Sequence, residues 1–239
     1  MADIRQSAAY ARYLTSLGWK IDQGIFIRPL WIFGSIAKLY RGTLPKNWKE
    51  ILKKHRAWFL QITNSPTKTL RVDLTPSTRI VFSQFKKDCR YTLRKYSGLS
   101  AQCSKNNFEK YYGIWKESAK RKSLWIPGQK EYFNLIKCFG KNCFCITINN
   151  LAGAVVLIHD HIAYYYYAGA TKEGVKQDLP YLVVWECMKE AKKMGCKIWD
   201  WEGIYDERWP NKDWKGFSHF KKSFGGYEVE FPGSFIKWF

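Results

Sequence analysis

Apolar positions along this chain fall into runs of alternating period, and their order predicts a mixed α/β protein. Residues 5–17 repeat at helical spacing and end at Gly18, so they predict a helix. The stretch GIFIRPLWIFGSIAKLY alternates and is rich in β-branched residues, which predicts two short strands around Gly34. LPKNWKEILKKHRAWFL predicts a helix with Pro45 in its first turn, and FLQIT and LRVDL predict strands. TPSTRIVFSQFKKDCRYTLRKYSG predicts one continuous helix, with Thr75 as N-cap, Pro76 at N1 and Gly98 as its stop. Phe82, Phe85, Cys89, Leu93 and Tyr96 form its apolar stripe, and Lys86, Lys87, Arg90 and Arg94 fall together on another face.

In the second half, NNFEKYYGIWKESAKRK and GQKEYFNLIKCF predict two helices. FCITINNLAGAVVLIHDHIAYYYYAG predicts three strands, with turns at Asn149-Asn150 and His159-Asp160-His161. LPYLVVWECMKEAKKMGCK predicts a helix with Pro180 in its first turn and Gly195 at its end, and IWDW a strand. This order divides the chain into residues 1–97, closing on the basic helix, and residues 98–239.

Composition narrows the partners. Forty Lys and Arg against twenty Asp and Glu give a formal charge of +20, a field that attracts nucleic acid, phosphorylated substrates or an anionic membrane surface. The basic face of Lys86, Lys87, Arg90 and Arg94 reads as a solvated surface and also as a contact to phosphates. Seven cysteines without a paired C-x-x-C spacing predict reduced thiols. Cys138, Cys143 and Cys145 come nearest a metal pattern but lack a fourth ligand nearby, and His159 and His161 read as turn residues, so no metal is expected. The N-terminus lacks the basic and apolar regions of a signal peptide, and no apolar run approaches the ~20 residues that span a bilayer. The expectation is a soluble, cytoplasmic chain that can meet the inner face of an anionic membrane through charge.

Familiar catalytic patterns are absent: there is no G-x-S-x-G and no GxxxxGK[ST]. The glycine-rich loop that wraps a pyrophosphate at a helix N-terminus is also missing, because GVKQDLPY stands before the second-half helix. Coenzyme A is therefore poorly supported. What remains is the stretch WDWEGI, followed by FSHFKKSFGG and then VEFPGSF.

Those three segments resemble the C-terminal signature of the Fem-type aminoacyltransferases (FemA, FemB and FemX). IRQSAAYARYLTSLGW, RVDLTPSTRIVFSQFKKDCRYTLRK, WKESAKRKSL and YYYYAGAT are similar to further family segments, in the same order. The resemblance implies two acetyltransferase-like (GNAT-fold) domains, the first reduced and the second carrying most of the site, with mixed sheets and no coiled-coil arm. It implies transfer from an aminoacyl-tRNA co-substrate to an amine on the stem peptide of a UDP-linked or lipid-linked muropeptide, with no cofactor. It places a charge-stabilising lysine at Lys221, with Phe220 shaping its pocket, and an acceptor-binding arginine at Arg121, with Trp125 of the same loop as a further expected substrate contact. An acceptor-site tyrosine falls on Tyr166 or Tyr167. The family's lysine after the opening Gln-Ser motif is replaced by Leu14, with Arg12 or Lys20 as substitutes.

Overall fold

The computed structural model describes residues 3–63, 66–96 and 103–238. A single helix over 5–17 does not form. Asp3 caps a short 3-10 turn at Ile4–Gln6, and Ser7 adopts extended geometry and caps α1, Ala8–Ser16. Strands β1 (Lys20–Asp22), β2 (Ile25–Pro29) and β3 (Ser35–Tyr40) follow. Helix α2 covers only Trp48–Lys54, because Arg56 turns the chain at positive φ into β4, Ala57–Thr63. Next come β5 (Lys68–Asp73), α3 (Thr78–Ser83), α4 (Lys87–Arg94), β6 (Cys103–Lys105), α5 (Phe108–Arg121) and α6 (Gln129–Phe139). Strands β7 (Cys143–Ile148), β8 (Ala152–His159) and β9 (Ile162–Ala170) form the predicted hairpins, with Asn149, Asn150, Asp160 and His161 at positive φ in the turns. The chain ends with α7 (Lys172–Lys176), α8 (Leu179–Lys193), β10 (Ile198–Asp200), α9 (Trp214–Lys222), β11 (Tyr227–Glu230) and β12 (Phe235–Trp238).

The continuous helix expected from Thr75 is two helices. Its N-cap is Ser77, whose side chain accepts from Ile80 N–H, and the predicted stop at Gly98 lies outside the described residues. The break comes at Lys86, which is extended and donates its N–H to the Ser223 carbonyl (2.8 Å). A tertiary hydrogen bond from the C-terminal segment replaces one helical hydrogen bond, while Phe85, Cys89 and Leu93 stay in the core. The helix stripe is legible in sequence; the partner that interrupts it is 137 residues away and is not.

Two mixed sheets result, as the element order predicts. One has the order β1-β2-β3-β4-β12, and the other β11-β5-β10-β9-β8-β7-β6. Among the described residues only the β3–β4 and β9–β10 pairs are parallel. The sheets exchange strands. β5, from the first part of the chain, sits between β10 and β11, and β12, from its end, lies against β4. Sheet membership therefore crosses residue 97. Among the described residues the longest helix is α8, at 15 residues, and no helix is long and apolar enough to cross a membrane.

A chain of alternating charges ties the first sheet's side to the second. Arg41, just after β3, donates to Asp3 (2.7 Å), Asp3 accepts from Arg5 (3.3 Å), and Arg5 donates to Glu202, beyond β10. Arg5 and Glu202 keep only 14% and 10% of their side-chain surface, so neither charge can fall back on water if its partner is lost. Arg5→Ala should lower stability by about 3 kcal/mol in thermal or urea unfolding. Adding Glu202→Gln should recover part of that loss, because it removes the stranded charge; a strictly additive double mutant would show that the pair is not coupled.

Candidate active site

The pocket opens where two parallel strands part. β10 follows β9 only from Ile198, opposite Ile162, to Asp200, opposite Tyr164. β9 continues to Ala170, whereas Trp201 and Ile204 donate their N–H groups to Leu70 and Lys68 and so follow β5. The gap is a pocket of about 360 Å³, lined by Tyr166 and Gly169 on one side and Trp201 and Glu202 on the other. Its volume falls in the range of small-molecule sites.

The divergence is fixed by Asp200 and by the two residues at positive φ that follow Trp201. Asp200 is buried; it accepts from Arg71 Nε (2.7 Å), Thr69 Oγ1 (2.7 Å) and Glu202 N–H (2.9 Å). Glu202 and Gly203 lie at φ of 56° and 119°. A Cβ at Gly203 would come within 2.6 Å of the Trp214 ring and 2.8 Å of Pro66, so only glycine fits. This kink turns the carbonyls of Trp201 and Gly203 toward α9.

Lys221 occupies that position. Its Nζ donates to the Trp201 carbonyl (2.9 Å) and the Gly203 carbonyl (2.6 Å). An ammonium has three N–H donors, so one remains for a ligand oxygen in the pocket that Lys221 lines. Burial pulls the Lys221 amine down to about 8, against the opposing fields of Glu202 and Asp200. Burial in turn pushes the Glu202 carboxyl up, against the attraction of Arg5.

Phe220 packs edge-on against Trp201 and Tyr181 (6.0 and 4.9 Å between centroids), which walls the lysine from below. After α9 the chain turns back through Gly225 and Gly226, both at positive φ. A Cβ on Gly226 would lie 2.2 Å from the Arg71 carbonyl, and it is this turn that lets β11 pair with β5. Lys222 behaves differently from its neighbour. It stays 43% exposed and pairs with Glu228 at 2.6 Å.

A β-bulge resolves the tyrosine run. Val155 faces Tyr167 and Val156 faces Tyr165, which leaves Tyr166 as the extra residue on β9. Tyr166 lines the pocket and packs edge-on against Tyr167 (4.8 Å between centroids). Tyr167 instead packs on Trp115 (4.1 Å between centroids) and does not line the pocket. Arg121, at the last residue of α5, lines the rim and donates to the Ala170 carbonyl (3.0 Å). Trp125 is 83% exposed and lies off the pocket, so the expectation that it contacts substrate there is not met.

The remaining expectations separate in the same way. Lys86, Lys87 and Arg94 are exposed on or beside α4. Arg90 is turned inward and caps the end of α3 through the carbonyls of Ser83 and Phe85, which withdraws it from a phosphate-binding face. Leu14 is core, Arg12 donates to the Cys138 carbonyl, and Lys20 begins an edge strand, so none of them lines the pocket. Among the described residues no group of three or more His, Cys, Asp and Glu is placed to hold a metal. Sequence reasoning missed Glu202 and Trp201 as pocket residues, although both lie in the quoted WDWEGI segment.

Comparison with known proteins adds to this geometry. The FemAB family model matches residues 146–238, a stretch that holds Tyr166, Glu202, Phe220 and Lys221 but not Arg121. No curated protein sequence matches the chain. The crystal structure of FemX superposes with a TM-score of 0.83 at 13% identity, covering 100% of this chain and 92% of that one. A C-terminal domain assigned to a lysylphosphatidylglycerol synthetase of Agrobacterium fabrum gives 0.59 at 11% identity, covering 94% and 86%. L-PGS from Bacillus licheniformis gives 0.54 at 11% identity, covering 90% and 80%. At such identities the likeness is one of fold. The chain is thus similar to the FemAB family over residues 146–238, and throughout its described length it has the fold of FemX.

Proposed function

We propose that this protein transfers an amino acid from an aminoacyl-tRNA to an amine on the stem peptide of a peptidoglycan precursor. The observation that carries the reading is the buried ammonium of Lys221, fixed by two backbone carbonyls at the floor of a pocket of small-molecule size. The family match over the residues that build this floor supports it.

In this reaction the acceptor amine attacks the ester carbonyl of the aminoacyl group. A C–N bond forms, the C–O bond to the ribose breaks, and a proton from the amine passes to the ribose oxygen. Negative charge gathers first on the carbonyl oxygen and then on the departing oxygen. The third N–H of Lys221 is the group that meets it, and because the lysine is already held, no reorganisation is needed as the charge appears. Pocket-lining residues supply no thiol, imidazole or serine hydroxyl, and burial holds the Tyr166 phenol in its neutral form. This composition favours direct transfer between the two substrates over a covalent acyl-enzyme. Arg121, at the rim, is suited to a phosphate or carboxylate of the acceptor. The exposed Lys86, Lys87 and Arg94 supply a basic surface for the tRNA backbone.

Incubation with charged tRNAs and a nucleotide-linked or lipid-linked muropeptide should give a muropeptide heavier by one aminoacyl residue in mass spectrometry. No product with any aminoacyl-tRNA contradicts the proposal. In the same assay Lys221→Ala should lower kcat roughly 10²–10³-fold with little change in substrate affinity. Lys222→Ala, which loses only an exposed ion pair, should stay close to wild type. Equal mild losses from both would make the pair a surface feature.

The protonated form of Lys221 is the active one, and its amine sits at about 8. Single-turnover transfer should therefore decline as pH rises through about 8. A rate that rises through that range and depends on Lys221 would assign the neutral amine a base role instead.

A further inference from the structure

One end of the five-stranded sheet carries exposed apolar side chains that the pocket does not use. Trp31, Ile32 and Phe33, in the turn from β2 to β3, are 91%, 66% and 71% exposed. The turn is tight and hydrogen-bonded: Phe33 N–H donates to the Leu30 carbonyl (3.0 Å), and Leu30 N–H to the Gly34 carbonyl (2.8 Å). Gly34 closes it at φ 83°, where a Cβ would lie 2.6 Å from the Arg56 carbonyl.

Neighbouring strands reinforce this end. The register slips between Ser35–Ala57 and Ile36–Phe59, so Trp58 is the extra residue of a bulge and is turned outward. Its indole N–H donates to the Phe33 carbonyl (2.8 Å), and its ring stacks on Trp238 (5.5 Å between centroids), itself 68% exposed. Three elements far apart in sequence thus present tryptophan, isoleucine and phenylalanine from one rigid projection.

Cationic residues flank it. Arg56 immediately precedes β4, and Lys20 begins β1 opposite Ile27, near the end of β2; Lys237 is directed elsewhere, over the Trp48 ring. Two copies meeting through this end would bring like-charged rims together on chains of formal charge +20. A projecting turn with a basic rim is instead complementary to an anionic surface that can also accept apolar side chains. Tryptophan and phenylalanine favour the interfacial zone of a bilayer, and lysine and arginine favour anionic headgroups.

We propose that this end of the five-stranded sheet docks on anionic phospholipid bilayers, with Trp31, Ile32 and Phe33 entering the interfacial zone. Lys20 and Arg56 then lie against the headgroups. The proposal stands apart from the reading of the pocket, since it concerns where the protein sits and not what it transfers.

Flotation of the full chain with phosphatidylglycerol–phosphatidylcholine vesicles tests it, at near-physiological salt and beside pure phosphatidylcholine. The wild type should float with the anionic vesicles. Trp31→Ser/Ile32→Ser/Phe33→Ser should partition at least roughly tenfold more weakly, the equivalent of losing one buried apolar side chain. Trp125→Ser, in the exposed loop between α5 and α6, should float as wild type. Circular dichroism of each variant confirms folding, which substitutions at exposed side chains preserve. A triple variant that floats like wild type overturns the proposal and leaves charge alone as the attraction. A wild type that fails to float with anionic vesicles overturns it as well. A wild-type dimer that the triple substitution converts to monomer would assign the surface to a second copy.

Discussion

An ammonium buried at the floor of a pocket is the constraint around which the second sheet is organised. Burial disfavours the charge on Lys221, the fields of Glu202 and Asp200 oppose that penalty, and the Trp201 and Gly203 carbonyls accept two of its N–H donors. Those carbonyls are available because the chain abandons β9 after Asp200 and turns through two residues at positive φ. One local geometry therefore opens the pocket and also builds the seat for its cation. A regular continuation of β10 would give neither.

Much of the remaining structure holds that seat in place. Asp200 gathers Arg71 of β5, Thr69 of β5 and the Glu202 N–H, so the strand that carries the kink is locked to a strand from the first part of the chain. Ser223, just beyond Lys221, receives the N–H of Lys86 and splits what would be one helix into α3 and α4. Glu202 reaches across to Arg5, and through Asp3 to Arg41, so the pocket wall is tied to the side of the other sheet. The exchange of β5 and β12 between the sheets gives the same interlocking at the level of the backbone.

The sequence shows the helix and strand periods of the second half plainly, since β7, β8, β9 and α8 are long and bounded by turn residues. It also separates Lys221 from Lys222 through the motif order that begins at WDWEGI, and the structure places the two lysines in different surroundings. Other features have no local signal. The choice between Tyr166 and Tyr167 rests on a bulge set by β8. The inward turn of Arg90 depends on a helix break that a distant carbonyl imposes. The pairing of β12 with β4 follows from four exposed residues that carry no alternation of burial. Glu202 was visible as a residue, but its role required knowing that Arg5 lies opposite.

In the proposed reaction the Lys221 ammonium meets the oxygen on which charge develops during transfer. A crystal structure with a stable aminoacyl-ester analogue bound tests this directly. The analogue's carbonyl or leaving oxygen should lie within hydrogen-bond distance of Lys221 Nζ, with the aminoacyl group between Tyr166 and Trp201. An analogue bound with both oxygens directed away from Lys221, or seated outside this pocket, would contradict it.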